Sequence, residues 1–242
     1  MPDQEILIMA MTRMLSGVCT AGFTRQPDPV SRLRWIRPVK EHSSLLLGDL
    51  TAPDGRVIQL GDVVALHVQR PRSDPPHAED WITDFVYHRP RLLRRLEGER
   101  RARFLAEHLD QAPEQVLGRS PIRSLCLVRP DRLWARFELD PYSRKYQARL
   151  GFTLEGVPHA RANASRGTPV TDLKWRALGR TWLGRSGGEL LLDEGALRGR
   201  LESRKIYLAL GLSRGYQGKL WLLVVGVHVV PDYEVEIDYD NL

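Results

Sequence analysis

The stretch that decides the fold class is Asp54-Gly55-Arg56-Val57-Ile58-Gln59-Leu60-Gly61-Asp62-Val63-Val64-Ala65-Leu66-His67-Val68. Each of its two turn signals, Asp54-Gly55 and Gly61-Asp62, precedes a short run of apolar and β-branched residues. Short apolar runs separated by turns also occur in residues 5–50 and return in residues 122–154. Because short strands with regular turns are typical of small barrels and sandwiches, the sequence predicts a mainly β fold.

Helices are expected between the groups of strands. Pro90 suits the first turn of a helix, and residues 91–109 carry apolar side chains that roughly share one face. Five arginines lie on the other face of this helix, which is either solvated or turned toward nucleic acid. Thr168-Pro169 predicts an N-cap and a second helix, to about Leu183, and a short third helix is expected at residues 190–201. Two barrel-like halves then join around residues 110–120.

Acidic residues alternate with apolar or aromatic residues from Asp232 to Asp240. A period of two predicts a half-buried terminal strand with a row of acidic side chains on its outer face. Two interpretations of this row stand. The charges either prevent pairing between sheets, or they form an acidic strip that covers a basic groove or docks on a partner.

The chain is basic and rich in arginine. It has 242 residues, 42% of them apolar, so it is long enough to bury a core. The net charge is +6, and only five of the 36 basic residues are lysines. Arginine binds phosphate through parallel hydrogen bonds, so this bias indicates a nucleic-acid partner, although a GC-rich genome favours the same codons.

Neither a membrane segment nor a cysteine-based site is predicted. No apolar run approaches the roughly 20 residues that span a bilayer, and residues 1–5 do not resemble a signal peptide. Cys19 and Cys126 alone cannot build a disulfide framework or a zinc site of cysteines. We therefore expect a cytoplasmic protein that does not bind membranes.

Two segments combine positive charge with an aromatic ring on extended backbone. The first surrounds Trp35, where Pro38 excludes a helix, and the second surrounds Tyr146. Base stacking on such rings contributes about 1–3 kcal/mol per base without sequence preference. The predicted nucleic-acid-binding residues are Arg32, Arg34, Trp35, Arg37, Lys40, Arg144, Lys145, Tyr146, Arg149, Lys174 and Arg176. The alternative is that Trp35 and Tyr146 are core residues and that the cations only solvate the edges.

Catalytic and metal sites are not expected. Ser186 lies in a G-x-S-x-G pattern, but a nucleophile elbow needs a strand before the serine, and a helix is predicted there. We interpret this segment as a loop and predict neither an enzyme nor a cofactor. His77, Glu79 and Asp80 either line a binding pocket or cap the loop before Trp81.

Several short motifs resemble the prokaryotic family of proteins with a dual OB-containing domain. They are Ile6 to Met11, Gly17-Val-Cys-Thr-Ala-Gly22, Trp35-Ile-Arg-Pro38, Gly61-Asp62-Val-Val64, Glu79-Asp-Trp81, Val170-Thr-Asp172, and the strands around Tyr207 to Leu212 and Lys219 to Val227. The resemblance implies two OB-like β-barrel halves. From the pattern of strands and helices we assign them to residues 1–110, with the Arg-rich helix, and to residues 120–242, with an inserted helix and the acidic terminal strand. The Arg-rich helix and the acidic strand do not map onto the family. The resemblance also implies binding of nucleic acid or nucleotides, in bacterial antiviral defence or a similar conflict. It carries over no catalytic residues.

The hypothesis is therefore a non-catalytic protein that binds single-stranded RNA or DNA, alone or as one subunit of a larger nucleoprotein assembly. Two alternatives stay open. One is a nucleotide or small-molecule sensor with a pocket between the two barrels, lined by Trp35 and the residues around Glu79. The other is a protein–protein interaction module that uses the acidic strip or the Arg91 to Arg103 helix.

Overall fold

The computed structural model describes residues 3–14, 17–29, 32–155, 166–184, 187–202, 205–215 and 218–239. By its internal contacts the chain divides into two units. Unit 1 comprises Met1–Glu97 and Ile122–Leu125, and unit 2 comprises Gly98–Pro121 and Cys126–Leu242. The Arg-rich segment that follows Pro90 therefore belongs partly to each unit.

Unit 1 contains a seven-stranded sheet. Its strands are β1 (Gln4–Met14), β2 (Gly17–Thr24), β3 (Trp35–Val39), β4 (Asp62–Leu66), β5 (Val68–Pro71), β6 (Asp80–Thr83) and β7 (Arg91–Arg95), with a 3-10 helix at Leu47–Leu50. They lie in the order β5-β6-β3-β2-β1-β4-β7. Strands β3 and β6 are parallel, and the other pairs are antiparallel. Strand β1 is buried on both faces from Ile6 to Thr12, as its apolar run predicts.

Unit 2 combines two sheets with helices. Its elements are α1 (Gly98–Glu107), α2 (Glu114–Leu117), β8 (Leu125–Val128), β9 (Arg132–Leu139), β10 (Tyr146–Thr153), β11 (Thr168–Pro169), α3 (Leu173–Leu183), β12 (Gly188–Leu192), α4 (Glu194–Leu201), β13 (Lys205–Leu212) and β14 (Leu222–Val230). The sheet orders are β11-β10-β9-β12 and β14-β13-β8. Val170 joins the sheets, because its N–H donates to the carbonyl of Ala148 and it bridges Val224. These curled sheets and the interspersed helices confirm the predicted mainly β fold.

Helix α3 packs into the core of unit 2. Asp172 caps it, since its Oδ1 accepts hydrogen bonds from the backbone N–H groups of Lys174 (2.8 Å) and Trp175 (3.2 Å). The other carboxylate oxygen accepts the N–H of Val227 in β14 at 2.6 Å, so Asp172 joins helix to sheet. Burial outweighs these hydrogen bonds and raises the pKa of Asp172 to about 6. Trp175 is fully buried and packs against Phe137 of β9.

Three predicted helices differ from the structure. Helix α3 begins at Leu173 and not after Thr168, because β11 pairs with β10. Residues 91–95 form β7 at the edge of the sheet, where they pair with β4, and α1 starts only at Gly98, whose φ is +54°. Residues 190–192 belong to β12, which pairs with β9 before α4 begins. Sheet pairing outweighs local helix propensity at all three places.

The acidic segment from Asp232 to Asp240 was predicted to be a strand, and that prediction is wrong for residues 232–239, which the structure describes. The segment follows β14 but joins no sheet of the described residues. Pro231 lacks a backbone N–H, which ends the pairing of β14. The predicted alternation is nevertheless present, since Tyr233, Val235 and Ile237 are half-buried whereas the acidic residues between them are exposed.

Candidate nucleic-acid interface

One tryptophan lies on the outer face of the β9–β10 pair. Buried residues alternate along β9 with half-buried or exposed ones, and Trp134 is among the latter. Gly151 lies opposite Trp134 in β10, and a Cβ added there would come within 1.9 Å of the indole Cε2. A Cβ added at Gly167, whose φ is +73°, would come within 2.9 Å of the indole Cη2. The ring therefore lies against the backbone of two glycines and stays half-buried on the surface of the sheet.

Arginines surround this ring. Arg132 and Arg136 point to the same side of β9 as Trp134, and Arg149 is the β10 partner of Arg136. Arg166 comes from the segment before β11. We term Arg132, Trp134, Arg136, Arg149 and Arg166 the Trp134 face.

Uncharged groups hold the guanidinium of Arg149 in place. Its Nη1 donates to the carbonyl of Gly167 at 3.1 Å, and its Nη2 donates to Gln147 at 3.2 Å. Burial lowers the pKa of Arg149, and the positive charges of Arg136 and Arg166 lower it further. An anion bound between these guanidinium groups would relieve their repulsion, and arginine binds phosphate oxygens with particularly good geometry.

Acidic residues neutralise part of the charge on the Trp134 face. The guanidinium of Arg136 lies within 3.1 Å of Glu138 and 2.8 Å of Glu189. Arg132, in contrast, is exposed and forms no ion pair with any residue in the described ranges. Arg132 and Arg149 therefore form no ion pair among the described residues, although the negative charge of Glu138 acts on Arg149.

A second cluster of cations lies where β10 begins. The guanidinium groups of Arg176 and Arg180, one turn apart in α3, lie 4.9 and 4.6 Å from the centre of the Tyr146 ring. The Tyr146 hydroxyl donates to the carbonyl of Arg176 at 2.9 Å, and burial raises the pKa of this hydroxyl. Arg144 and Lys145 are exposed in the turn before Tyr146. We term Arg144, Lys145, Arg176 and Arg180 the basic end.

Arg144 has an unusual backbone conformation. Its φ is +55°, in the left-handed region that favours glycine or asparagine. The N–H of Arg144 donates to the carbonyl of Asp140, and the N–H of Asp140 donates to the carbonyl of Lys145, which closes the turn. The Asp140 carboxylate accepts the N–H of Ser143. Arg32 in unit 1 shares the left-handed conformation, with a φ of +61°. Both residues were predicted to bind nucleic acid.

The first predicted segment divides between the surface and the interior of unit 1. Trp35 is only 5% exposed and packs against Phe23, with ring centroids 4.3 Å apart. Arg37 is also buried, and its Nε donates to Asp80 at 2.6 Å. Burial alone would lower the pKa of Arg37, but the negative charge of Asp80 raises it overall. Arg32 is exposed, whereas Trp35 and Arg37 occupy positions where a base or phosphate cannot reach them without a rearrangement.

The other cations of this segment have partners of their own. Arg34 donates to the carbonyl of Arg25 at 2.9 Å, and the ammonium of Lys40 lies 2.6 Å from the Asp49 carboxylate. Tyr146 in unit 2 is buried as well, so neither predicted ring presents a face to solvent. This placement agrees with the alternative that Trp35 and Tyr146 are core residues.

The residues of the predicted pocket lie in the interior of unit 1. Glu79 accepts hydrogen bonds from the N–H and the hydroxyl of Ser124 and from the N–H of Leu125, all at 2.8–2.9 Å. These bonds tie the segment Ile122–Leu125 to the loop before β6. Asp80 is fully buried beside Arg37, and His77 is buried too. The structure thus brings the three residues together, with both carboxylates engaged inside the unit.

Lys174 contacts the acidic segment. Its ammonium lies 2.9 Å from Asp232 and 4.5 Å from the centre of the Tyr233 ring. Asp232 also accepts a hydrogen bond from Arg101 at 2.7 Å, and Arg101 donates to Nδ1 of His228 at 3.0 Å. Of the two interpretations of the acidic row, these contacts favour a strip that covers basic side chains.

Other candidate groups have structural partners or lie elsewhere. Ser186 lies outside the described residues. Asp193 caps α4 by accepting the N–H of Ala196 at 2.8 Å. In the part of the chain that the structure describes, no three His, Cys, Asp or Glu side chains are grouped as metal ligands. Within the same ranges, no helix is both long enough and apolar enough to cross a bilayer.

The family model of the dual OB-containing domain matches residues 4–227 of the chain. The chain belongs to the dual OB-containing domain family. This membership confirms the predicted family and accounts for the curled sheets. No curated protein and no solved structure matches the chain.

Sequence reasoning missed the central residue of the candidate interface in this dual OB-containing protein. Neither Trp134 nor Arg132, Arg136 and Arg180 was predicted to bind. The signal was the period-two alternation of Arg132-Leu-Trp-Ala-Arg-Phe-Glu-Leu139, which puts tryptophan and two arginines on one face. Arg180 could have been found from its spacing, because it lies four residues after Arg176 on the same helix face.

Proposed function

We propose that this dual OB-containing protein binds single-stranded RNA or DNA through the Trp134 face and catalyses no reaction. The observation that carries the proposal is the position of Trp134. Its ring is fixed against two glycines on the outside of a barrel strand and has arginines on both sides. OB barrels bind oligonucleotides across one sheet face, by stacking bases on aromatic rings and holding phosphates with cations.

The expected energies make the proposal measurable. Stacking on one aromatic ring contributes about 1–3 kcal/mol per base, so loss of the ring weakens binding by roughly 5- to 150-fold. For single strands, the logarithm of the binding constant falls linearly with the logarithm of the salt concentration. Each phosphate that the protein neutralises makes this slope steeper by about 0.7. Among the arginines of the Trp134 face, Arg149 is held most firmly by neutral groups. We expect it to neutralise one phosphate.

Fluorescence anisotropy tests the proposal with labelled single-stranded RNA, single-stranded DNA and duplex DNA at two salt concentrations. We expect salt-sensitive binding of single strands, weakened by Trp134→Ala and made less salt-dependent by Arg149→Ala. Trp221→Ala is the matched control, because Trp221 is 57% exposed in the same unit but lies outside the Trp134 face. Binding that resists Trp134→Ala, or that falls equally in the Trp221→Ala variant, would overturn the proposal.

The sequence also suggests protein partners, antiviral defence and a cytoplasmic location. We include the first two as parts of the proposal that rest on the family resemblance, and the third as an expectation from the sequence alone. Affinity purification from bacteria before and after nuclease treatment separates the two kinds of partner. Co-purifying proteins that are lost with the nucleic acid indicate a nucleoprotein assembly, whereas proteins that stay bound favour the protein-interaction alternative.

A further inference from the structure

A small cleft in unit 2 shares no residue with the Trp134 face. Its volume is about 310 Å³, at the lower end of the roughly 300–1,000 Å³ that small-molecule sites occupy. Three parts of unit 2 line it: the turn between β8 and β9, helix α4 and the start of β13. We term this cleft the Arg129 cleft, and its lining residues are Arg129, Pro130, Asp131, Arg198 and Ile206.

The two arginines of the Arg129 cleft differ in how firmly the protein holds them. Arg129 is exposed, and its side chain forms no hydrogen bond or ion pair with any residue in the described ranges. Arg198 is half-buried on α4, where its neighbour Leu197 packs into the core of unit 2 and its Nε donates to Glu194 at 3.0 Å. The guanidinium of Arg198 is therefore oriented before a ligand binds, which reduces the entropy that binding costs.

Asp131 adds a hydrogen-bond acceptor to the cleft. Its N–H donates to the carbonyl of Thr153 at 3.0 Å, and its Oδ2 accepts the N–H of Glu155, so the carboxylate is fixed in place. Its Oδ1 has no partner among the described residues and can accept a hydrogen bond from a ligand hydroxyl.

The rest of the lining is aliphatic and small. Pro130 and Ile206 are both buried, and none of the lining residues is aromatic. A nucleic-acid base would find no ring to stack on in this cleft. Two cations, one acceptor and a small apolar surface suit a compact ligand that carries an anionic group and several hydroxyl groups.

We infer that the Arg129 cleft binds a small sugar phosphate. A phosphomonoester carries a charge of about −1.5 to −2 at pH 7, which matches two arginines, and its oxygens accept hydrogen bonds from guanidinium groups with good geometry. The hydroxyl groups of the sugar donate to Asp131, and the C–H groups of its ring contact Pro130 and Ile206. This site goes beyond the proposed function, because it uses no residue of the Trp134 face.

Isothermal titration calorimetry tests the inference on the full chain with ribose-5-phosphate, ribose, inorganic phosphate and adenosine monophosphate. We expect ribose-5-phosphate to bind, inorganic phosphate to bind about tenfold more weakly, and ribose not to bind. Arg129→Ala and Arg198→Ala should each weaken ribose-5-phosphate by about tenfold or more, since each removes a charge-assisted hydrogen bond. Arg200→Ala is the matched control, because Arg200 is exposed on the same helix but does not line the cleft.

Asp131→Asn tests the contact to the sugar separately. Asparagine can still accept the N–H of Glu155, so the turn should stay folded, and thermal denaturation of the variant checks this. The variant should bind inorganic phosphate more tightly than the wild type does, because a negative charge is removed from the cleft. Its preference for ribose-5-phosphate over inorganic phosphate should be smaller than that of the wild type.

Several results would overturn the inference. One is that no phosphate binds, and another is that Arg129→Ala and Arg198→Ala leave binding unchanged. Equal affinity of the wild type for ribose-5-phosphate and inorganic phosphate would assign the cleft to a free anion. Adenosine monophosphate that binds at least tenfold more tightly than ribose-5-phosphate would assign it to a nucleotide.

The failure of this inference is distinguishable from failure of the proposed function. Trp134→Ala should leave the affinity for ribose-5-phosphate unchanged, and Arg129→Ala should leave the affinity for single strands unchanged at moderate salt. Loss of ribose-5-phosphate binding in Trp134→Ala would place the ligand on the Trp134 face and overturn the inference.

Discussion

Replacing Arg144 with glycine separates binding from folding at the basic end. The left-handed backbone of Arg144, with a φ of +55°, costs an L-residue about 1–2 kcal/mol, and glycine has no such cost. Glycine also makes the unfolded chain more flexible, which lowers stability by about 0.4–1 kcal/mol. The Arg144→Gly variant should therefore have a free energy of unfolding that is unchanged or higher by up to about 1.5 kcal/mol.

Binding should change in the opposite direction. A hydrogen bond between charged groups contributes about 1.5–3 kcal/mol, and the lower end of that range applies to an exposed side chain. The Arg144→Gly variant should thus bind an eight-nucleotide strand about tenfold more weakly at low salt. The logarithmic salt slope should become shallower by about 0.7, since one phosphate contact is lost.

Urea denaturation followed by circular dichroism gives the stability, and anisotropy gives the affinity. Arg144→Ala is the comparison variant, because it removes the charge but keeps the strained backbone. It should bind as weakly as Arg144→Gly and be less stable than it. Arg144→Lys should retain most of the binding. A glycine variant that binds like the wild type, or that is clearly less stable than the alanine variant, would refute the argument that this residue is kept for its charge.

Three further substitutions have defined expectations. Gly151→Ala places a methyl group where the Trp134 ring lies, so anisotropy should show weaker binding and urea denaturation a loss of about 1–3 kcal/mol. Glu79→Gln turns a buried acceptor into a donor beside N–H groups, and should cost about 1–3 kcal/mol in urea denaturation with no change in oligonucleotide affinity. Asp172→Asn leaves the N–H of Val227 without its acceptor. The pKa of Asp172 is about 6 in the folded state and near 3.8 in the unfolded state. As pH falls, the folded state therefore binds the proton first, and this carboxyl group contributes more to the stability of the wild type. The stability difference between wild type and Asp172→Asn should widen from pH 7 to pH 4, by up to about 3 kcal/mol, and a constant difference would contradict the assignment.

Regular patterns in the sequence predicted much of the fold. Strands β1 and β14 are long apolar runs. Such runs, with the turns between them, are enough to predict strands that pair in a sheet. Residues 91–95 could not be assigned in this way, because their helix-like spacing is overridden by pairing with β4. That pairing joins residues some 30 positions apart, and local propensity carries no information about it.

The candidate interface was harder to predict than the fold. Trp35, Trp134 and Tyr146 are all aromatic residues with cations nearby in the sequence. Only tertiary contacts distinguish them: Phe23 covers Trp35 and helix α3 covers Tyr146, whereas two glycines leave Trp134 on the surface. A ring's role thus depends on what packs against it, and the residues that do so lie elsewhere in the chain.

The same argument explains why a count of arginines does not locate a binding surface. Arg37 and Arg101 are buried in ion pairs with Asp80 and Asp232, which lie 43 and 131 positions away in the chain. These arginines already form ion pairs inside the protein. They could bind phosphate only if the buried pairs broke, which is strongly unfavourable. Arg180, in contrast, is oriented by a tyrosine ring and faces no carboxylate among the described residues. A cation that the fold orients but does not neutralise keeps its charge available for a ligand.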